Sequence, residues 1–127
     1  MRLVIVRHAE AAPGQPDEAR PLTAYGHEQA RELGRRLRAE VGVPEAVLSS
    51  PLLRARQTAA ALELGEPEPS AQLAPGATAE SVREAVEGRG ETVVVVGHQP
   101  DCGRIAAVLG DGEEPHFPPA GVHVVEL

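Results

Sequence analysis

The sequence predicts a three-layer α/β/α sandwich built on a mostly parallel sheet, and three observations carry that prediction. Two continuous apolar runs, "LVIV" at 3–6 and "VVVV" at 93–96, lack the polar alternation of a half-exposed strand and fit strands covered on both faces. Helical patterns separate the strand patterns along the chain, which is the order of a parallel sheet with crossover helices. At 127 residues, 42% of them hydrophobic, the chain is long enough to bury one core and too short for two, so residues 1–127 read as a single domain without a large cap or lid.

The first strand, 3–6, runs into Arg7, His8 and Glu10 and then into "APGQPDEARP", a turn-rich loop. Thr23 is placed to cap a helix reaching about Glu40, in which Ala30, Leu33, Leu37 and Val41 recur at helical spacing. Arg31, Arg35, Arg36 and Arg38 point outward there among Glu28, Glu32 and Glu40, the pattern of a solvated face rather than a binding patch. Gly34 weakens this helix pattern. The segment "EAVLSS" reads as a short strand. Pro51 then opens a helix, "PLLRARQTAAALELG", that Gly65 closes. A linker follows, with a short strand expected at Ala71–Leu73. Thr78 caps a third helix ending near Gly88, and strand 92–96 leads through Gly97 and His98 into a Pro-initiated helix ending about Leu109. The loop "GDGEEPHFPPAG" reads as a solvated connector to a last strand, "VHVVEL".

Composition removes several function classes. Aromatic residues make up 2% of the chain, too few for stacking on bases or sugars. A net charge of −7 has the wrong sign for holding nucleic acid or an anionic membrane surface. All 12 basic residues are arginine, which excludes a Walker lysine, a Schiff-base lysine and a lysine general base. Cys102 is alone, so no internal disulfide forms, and a Cys-x5-Arg phosphatase loop would need arginine where Val108 stands. His27, His116 and His123 show no metal-ligand spacing, and no cofactor is expected. Charge interrupts the first apolar run too early for a leader peptide, and no segment reaches the roughly 18 apolar residues of a membrane span. The expectation is a cytoplasmic protein.

Parallel strands present their carboxyl ends on one edge of the sheet, where open α/β folds bind ligands. Strands 3–6 and 92–96 both lead into a histidine, so His8 and His98 meet although they lie ninety positions apart. The strand at 46–50 brings the helix carrying Arg54 to the same edge. Arg56, two residues on at about 100° per residue, points away and reads as a surface residue. Arg7, His8, Arg54 and His98 thus form two guanidinium forks and two imidazoles without an offsetting cluster of acids. Guanidinium matches phosphate oxygens bidentately. A neutral imidazole can attack phosphorus to give a phosphohistidine that water hydrolyses, and neighbouring arginines lower its pKa.

Four blocks, "VRHAEA", "RPLTAYG", "SSPLLRARQTA" and "VVVVGHQP", occur in the order and spacing of the histidine phosphatase superfamily, the phosphoglycerate-mutase-like fold, and the whole chain most resembles its SixA-type phosphohistidine phosphatases. The resemblance implies that His8 is the phosphorylated nucleophile and that Arg7 and Arg54 clamp the phosphoryl oxygens. It further implies that His98 hydrogen-bonds the phosphoryl group, cationic when substrate is bound, and that Arg20 stands near the pocket mouth. Two departures matter. Ala9 replaces the glycine of the commoner R-H-G motif. Members acting on alkyl esters carry an acid after a middle strand, whereas "SAQLAPGATAES" has none before Glu80. A general acid is worth about 10²- to 10⁴-fold for an alkoxide leaving group, and a leaving imidazole needs less help. Glu10 is a possible substitute acid, though it reads more simply as a loop acid.

The expected activity is therefore metal-independent hydrolysis of protein-borne phosphohistidine through phospho-His8, with a histidine-phosphotransfer domain as a possible partner. A phosphatase of small phosphate esters is the alternative, and a non-catalytic phosphate-binding module is a second one.

Overall fold

The structure is a computed structural model describing residues 1–127. Its strands are β1 (Arg2–Arg7), β2 (Ala46–Ser49), β3 (Pro67–Pro69), β4 (Thr92–Gly97) and β5 (Val122–Glu126). Its helices are α1 (Ala24–Val41), α2 (Leu53–Ala61), α3 (Ala79–Val86) and α4 (Asp101–Leu109). The strands form one sheet in the order β3-β2-β4-β1-β5, parallel except for β5, which lies antiparallel against β1.

The two apolar runs are the paired strands nearest the centre, β1 and β4, and both faces of each are covered. Leu3, Ile5, Val93 and Val95 face one way and pack with Val82 and Val86 of α3 and Ile105 and Leu109 of α4. Val4, Val6, Val94 and Val96 face the other way and pack with Leu33 and Leu37 of α1 and Ala55 and Ala59 of α2. The side-chain period of two along a strand therefore assigns alternate residues to two helical layers, which is the predicted sandwich.

Thr23 and Thr78 cap α1 and α3, accepting from the backbone N–H of Gly26 and Ser81. The α1 surface is laced by Arg31–Glu28 and Arg35–Glu32 pairs, the solvated face expected of it. Pro51 precedes α2 rather than opening it, and that helix ends at Ala61, before Gly65. The linker is a different matter. Ala71–Leu73 is a 3-10 turn, and the strand lies at Pro67–Pro69 instead. Two prolines argue against a central strand, but β3 is at the sheet margin and pairs only with β2, where missing N–H donors cost little.

Gly34 has a packing reason. A Cβ there would lie 2.1 Å from the carbonyl oxygen of Leu62, so α1 and the end of α2 approach each other only because the side chain is absent.

Candidate active site

The register of β1 on β4 pairs Arg7 with Gly97, so the two strands end level. The next backbone link, His8 N–H to the Gly97 carbonyl at 2.9 Å, continues the ladder by one step. His8 and His98 consequently stand side by side, with ring centroids 5.3 Å apart. On the far side of β4, the Ser50 N–H donates to the Val96 carbonyl at 2.9 Å, which puts the Ser50 hydroxyl 2.7 Å from His98 Nε2.

The chain leaving β2 turns directly into α2, whose second residue is Arg54. Thr58, one turn further, ties this helix to the histidine loop: its fully buried hydroxyl accepts from the Ala9 N–H at 3.0 Å and donates to the Arg54 carbonyl at 2.8 Å. The Arg54 side chain is only 9% exposed, while Arg56 lies on the surface. Below the loop, a Cβ on Gly26 would meet the Glu10 carbonyl oxygen at 2.1 Å, so the glycine of "RPLTAYG" lets the start of α1 approach that carbonyl.

A hydrogen bond defines the tautomer of His8. A carbonyl only accepts, so the 2.7 Å contact from His8 Nδ1 to the Ala9 oxygen places the ring proton on Nδ1 and leaves the lone pair on Nε2. Ser50 Oγ accepts from the Leu52 N–H at 3.2 Å and shares a 2.7 Å hydrogen bond with His98 Nε2. His98 Nδ1 and Arg7 Nε are buried without a hydrogen-bond partner in the protein.

Both imidazoles are held neutral. Burial, more than the nearby Arg54 and Arg7, pushes the His8 pKa down to about 4, against the opposing bond to Ala9. Burial, then His8 and Arg54, lower His98 to about 4 as well. The sequence reasoning credited arginines alone with this effect. Desolvation of the ring is the larger cause.

The structure brings Arg7, His8, Arg54 and His98 to one edge. Arg7 Nη1 donates to the Phe117 carbonyl at 2.9 Å, and the Ala120 N–H donates to the His8 carbonyl at 3.1 Å. The connector 110–121 is therefore solvated only in its first part, while buried Phe117 fixes its second part against the site. Arg20 stands on the neighbouring loop, its Nε donating to the Ala12 carbonyl at 2.8 Å.

No cluster of acids offsets the arginines, as expected, but one acid, Asp17, stands against them. Its carboxylate lies 3.2 Å from Arg54 and 3.0 Å from Arg20, and its carbonyl accepts from Arg54 Nη1 at 2.8 Å. Glu10 instead accepts from the Thr23 hydroxyl at 2.8 Å, at the start of α1. Sequence reasoning passed over Asp17, Ser50 and Thr58. Thr58 alone had a readable signal, its position four residues after Arg54 on the same helix face.

The chain belongs to the histidine phosphatase superfamily (branch 1), whose family model matches residues 3–76, and it is a phosphatase. It is SixA-like. It is 34% identical over 128 residues to the phosphohistidine phosphatase SixA of Escherichia coli K12, covering 91% of this chain and 78% of that protein. It is 38% identical over 128 residues to an uncharacterized protein of Picosynechococcus sp., covering 91% of this chain and 77% of the relative. A solved structure of the protein histidine phosphatase SixA complexed with tungstate superposes with a TM-score of 0.89 at 30% identity, covering 100% of this chain and 88% of that one.

Proposed function

We propose that this chain is a metal-independent phosphohistidine phosphatase, a single domain acting in the cytoplasm on phosphorylated proteins through a covalent phospho-His8 intermediate. The observation that carries the reading is the Nδ1–H bond from His8 to the Ala9 carbonyl, which leaves an unprotonated Nε2 beside two arginines.

In this reading the phosphoryl oxygens meet the Arg7 and Arg54 guanidinium groups and the His98 imidazole, with Arg20 at the mouth. The His8 Nε2 lone pair forms the bond to phosphorus as the substrate P–N bond breaks, and its electron pair returns to the departing ring. Phospho-His8 keeps its Nδ1 proton on Ala9. The intermediate is thus an imidazolium, which expels a neutral imidazole when water attacks phosphorus. Preorganised donors around the transferring group stabilise the charge that develops on its oxygens. The similarity to SixA proteins, one of them solved with a tetrahedral oxyanion, supports the phosphoryl assignment. The cationic arginines around His8 oppose a divalent cation there by like charge, which supports the metal-independent reading.

The test is to mix the protein with a phosphorylated histidine-phosphotransfer domain in the presence of a chelator and follow phosphate release, beside a panel of alkyl phosphates. Rapid release from phosphohistidine is expected, with slow ester turnover, and His8→Ala should lose at least about 10³-fold. Ester turnover of equal speed would overturn the substrate assignment. Release that survives His8→Ala would overturn the nucleophile.

A further inference from the structure

Asp17 is the acid that the site's charge pattern did not call for. It engages Arg54 twice, through its carbonyl at 2.8 Å and its carboxylate at 3.2 Å, and it also pairs with Arg20 at 3.0 Å. The two partners differ sharply in exposure. The Arg54 side chain is 9% exposed and that of Asp17 is 60% exposed, so the carboxylate occupies the solvent side of the clamp. On the phosphohistidine reading, the substrate ring approaches from that solvent side. Hydrogen bonds from Arg20 and then Arg54 hold the Asp17 carboxyl below its ordinary range, so it is ionised and has no proton to give.

Such a group has no proton for a departing alkoxide, and a phosphate ester offers it no cationic leaving group to receive. A phosphohistidine ring is different. It leaves as neutral imidazole only if the nitrogen remote from phosphorus is protonated, and that protonated ring is a cation. An anion beside the ring raises its pKa and keeps it in the protonated form from which neutral imidazole can leave, with no proton transferred from the protein.

We propose that Asp17 is a specificity-determining residue whose carboxylate, on the outer side of Arg54, receives the protonated ring of a substrate phosphohistidine and disfavours phosphate esters. This rests on the phosphohistidine reading above. In the step itself, the bond from His8 Nε2 to phosphorus forms and the substrate P–N bond breaks. The electron pair of that bond goes to the ring nitrogen, and the ring keeps its remote proton, so the departing group is neutral imidazole.

The experiment compares kcat/KM for a short synthetic peptide carrying 3-phosphohistidine with kcat/KM for phenyl phosphate, in the natural protein, Asp17→Asn and Asp17→Glu. Asparagine retains the backbone carbonyl bond to Arg54 and removes the charge. The preference for phosphohistidine over phenyl phosphate should fall about tenfold in Asp17→Asn, the size of one partly screened charge contact. Asp17→Glu should restore most of it. A residue that merely held the loop would lower both substrates by one factor, and an unchanged or increased preference in Asp17→Asn overturns the proposal. So does a glutamate variant that behaves like asparagine. If the natural protein itself fails to turn over the phosphohistidine peptide, the substrate reading falls, and the inference falls with it.

Discussion

His8 carries the most information of any residue in the chain, because three of its neighbours fix three of its properties. The Ala9 carbonyl sets its tautomer, the β1–β4 ladder its position, and burial its charge. An ordinary histidine is half protonated near pH 6.5 and would lose its nucleophilic lone pair in mild acid. His8 should keep its lone pair down to about pH 4. Titration of the His8 ring signals by NMR in the free protein is expected to show a midpoint well below 6.5, and a midpoint near 6.5 would mean that the ring is wetter than the structure has it. The histidines and Arg54 were legible because each ends a strand or begins a helix, where sequence pattern and sheet topology together predict direction. Asp17 was not legible. It sits in a proline-rich loop without periodicity, and its partner Arg54 lies 37 positions on, so only the folded backbone reveals the pair.

At the scale of elements, the helices and the two central strands followed from apolar spacing and caps, while β3 was concealed by its prolines. Local sequence reports a strand's preference for burial, and an edge strand of three residues has little to report. Gly34 was read as a flaw in α1 and proves to be its docking point on α2. Replacing it with alanine separates the two descriptions. Helix propensity alone predicts a gain of about 1 kcal/mol. The Leu62 carbonyl, 2.1 Å from the added Cβ, predicts the opposite sign. Overpacking against backbone costs about 1–3 kcal/mol, so Gly34→Ala should unfold at lower urea with an unchanged slope. A higher midpoint would show that α1 and α2 separate easily.

The whole molecule has a property that neither a residue nor an element has alone. It keeps two neighbouring imidazoles neutral, buried His98 and half-buried His8, each with a pKa lowered from 6.5 to about 4. Between those values the unfolded chain binds protons that the folded protein refuses, so stability rises with pH across that window. Their contribution is complete above about pH 6.5 and is lost as pH falls toward 4. Urea midpoints measured from pH 7 to pH 4 should therefore decline, and the decline should be shallower in His8→Asn. A midpoint independent of pH would mean that the pair remains solvated in the folded state.

The level ends of β1 and β4 reach into time as well as geometry. Arg7 and Gly97 are among the more distant partners in the chain, and closing so long a loop is slow compared with forming any helix. The histidine pair does not exist before that closure, since each strand brings one imidazole. A slip of one residue would turn His8 and His98 to opposite faces of the sheet. Recovery of phosphate release after dilution from denaturant therefore cannot precede the arrival of the first strand beside the fourth in its proper register.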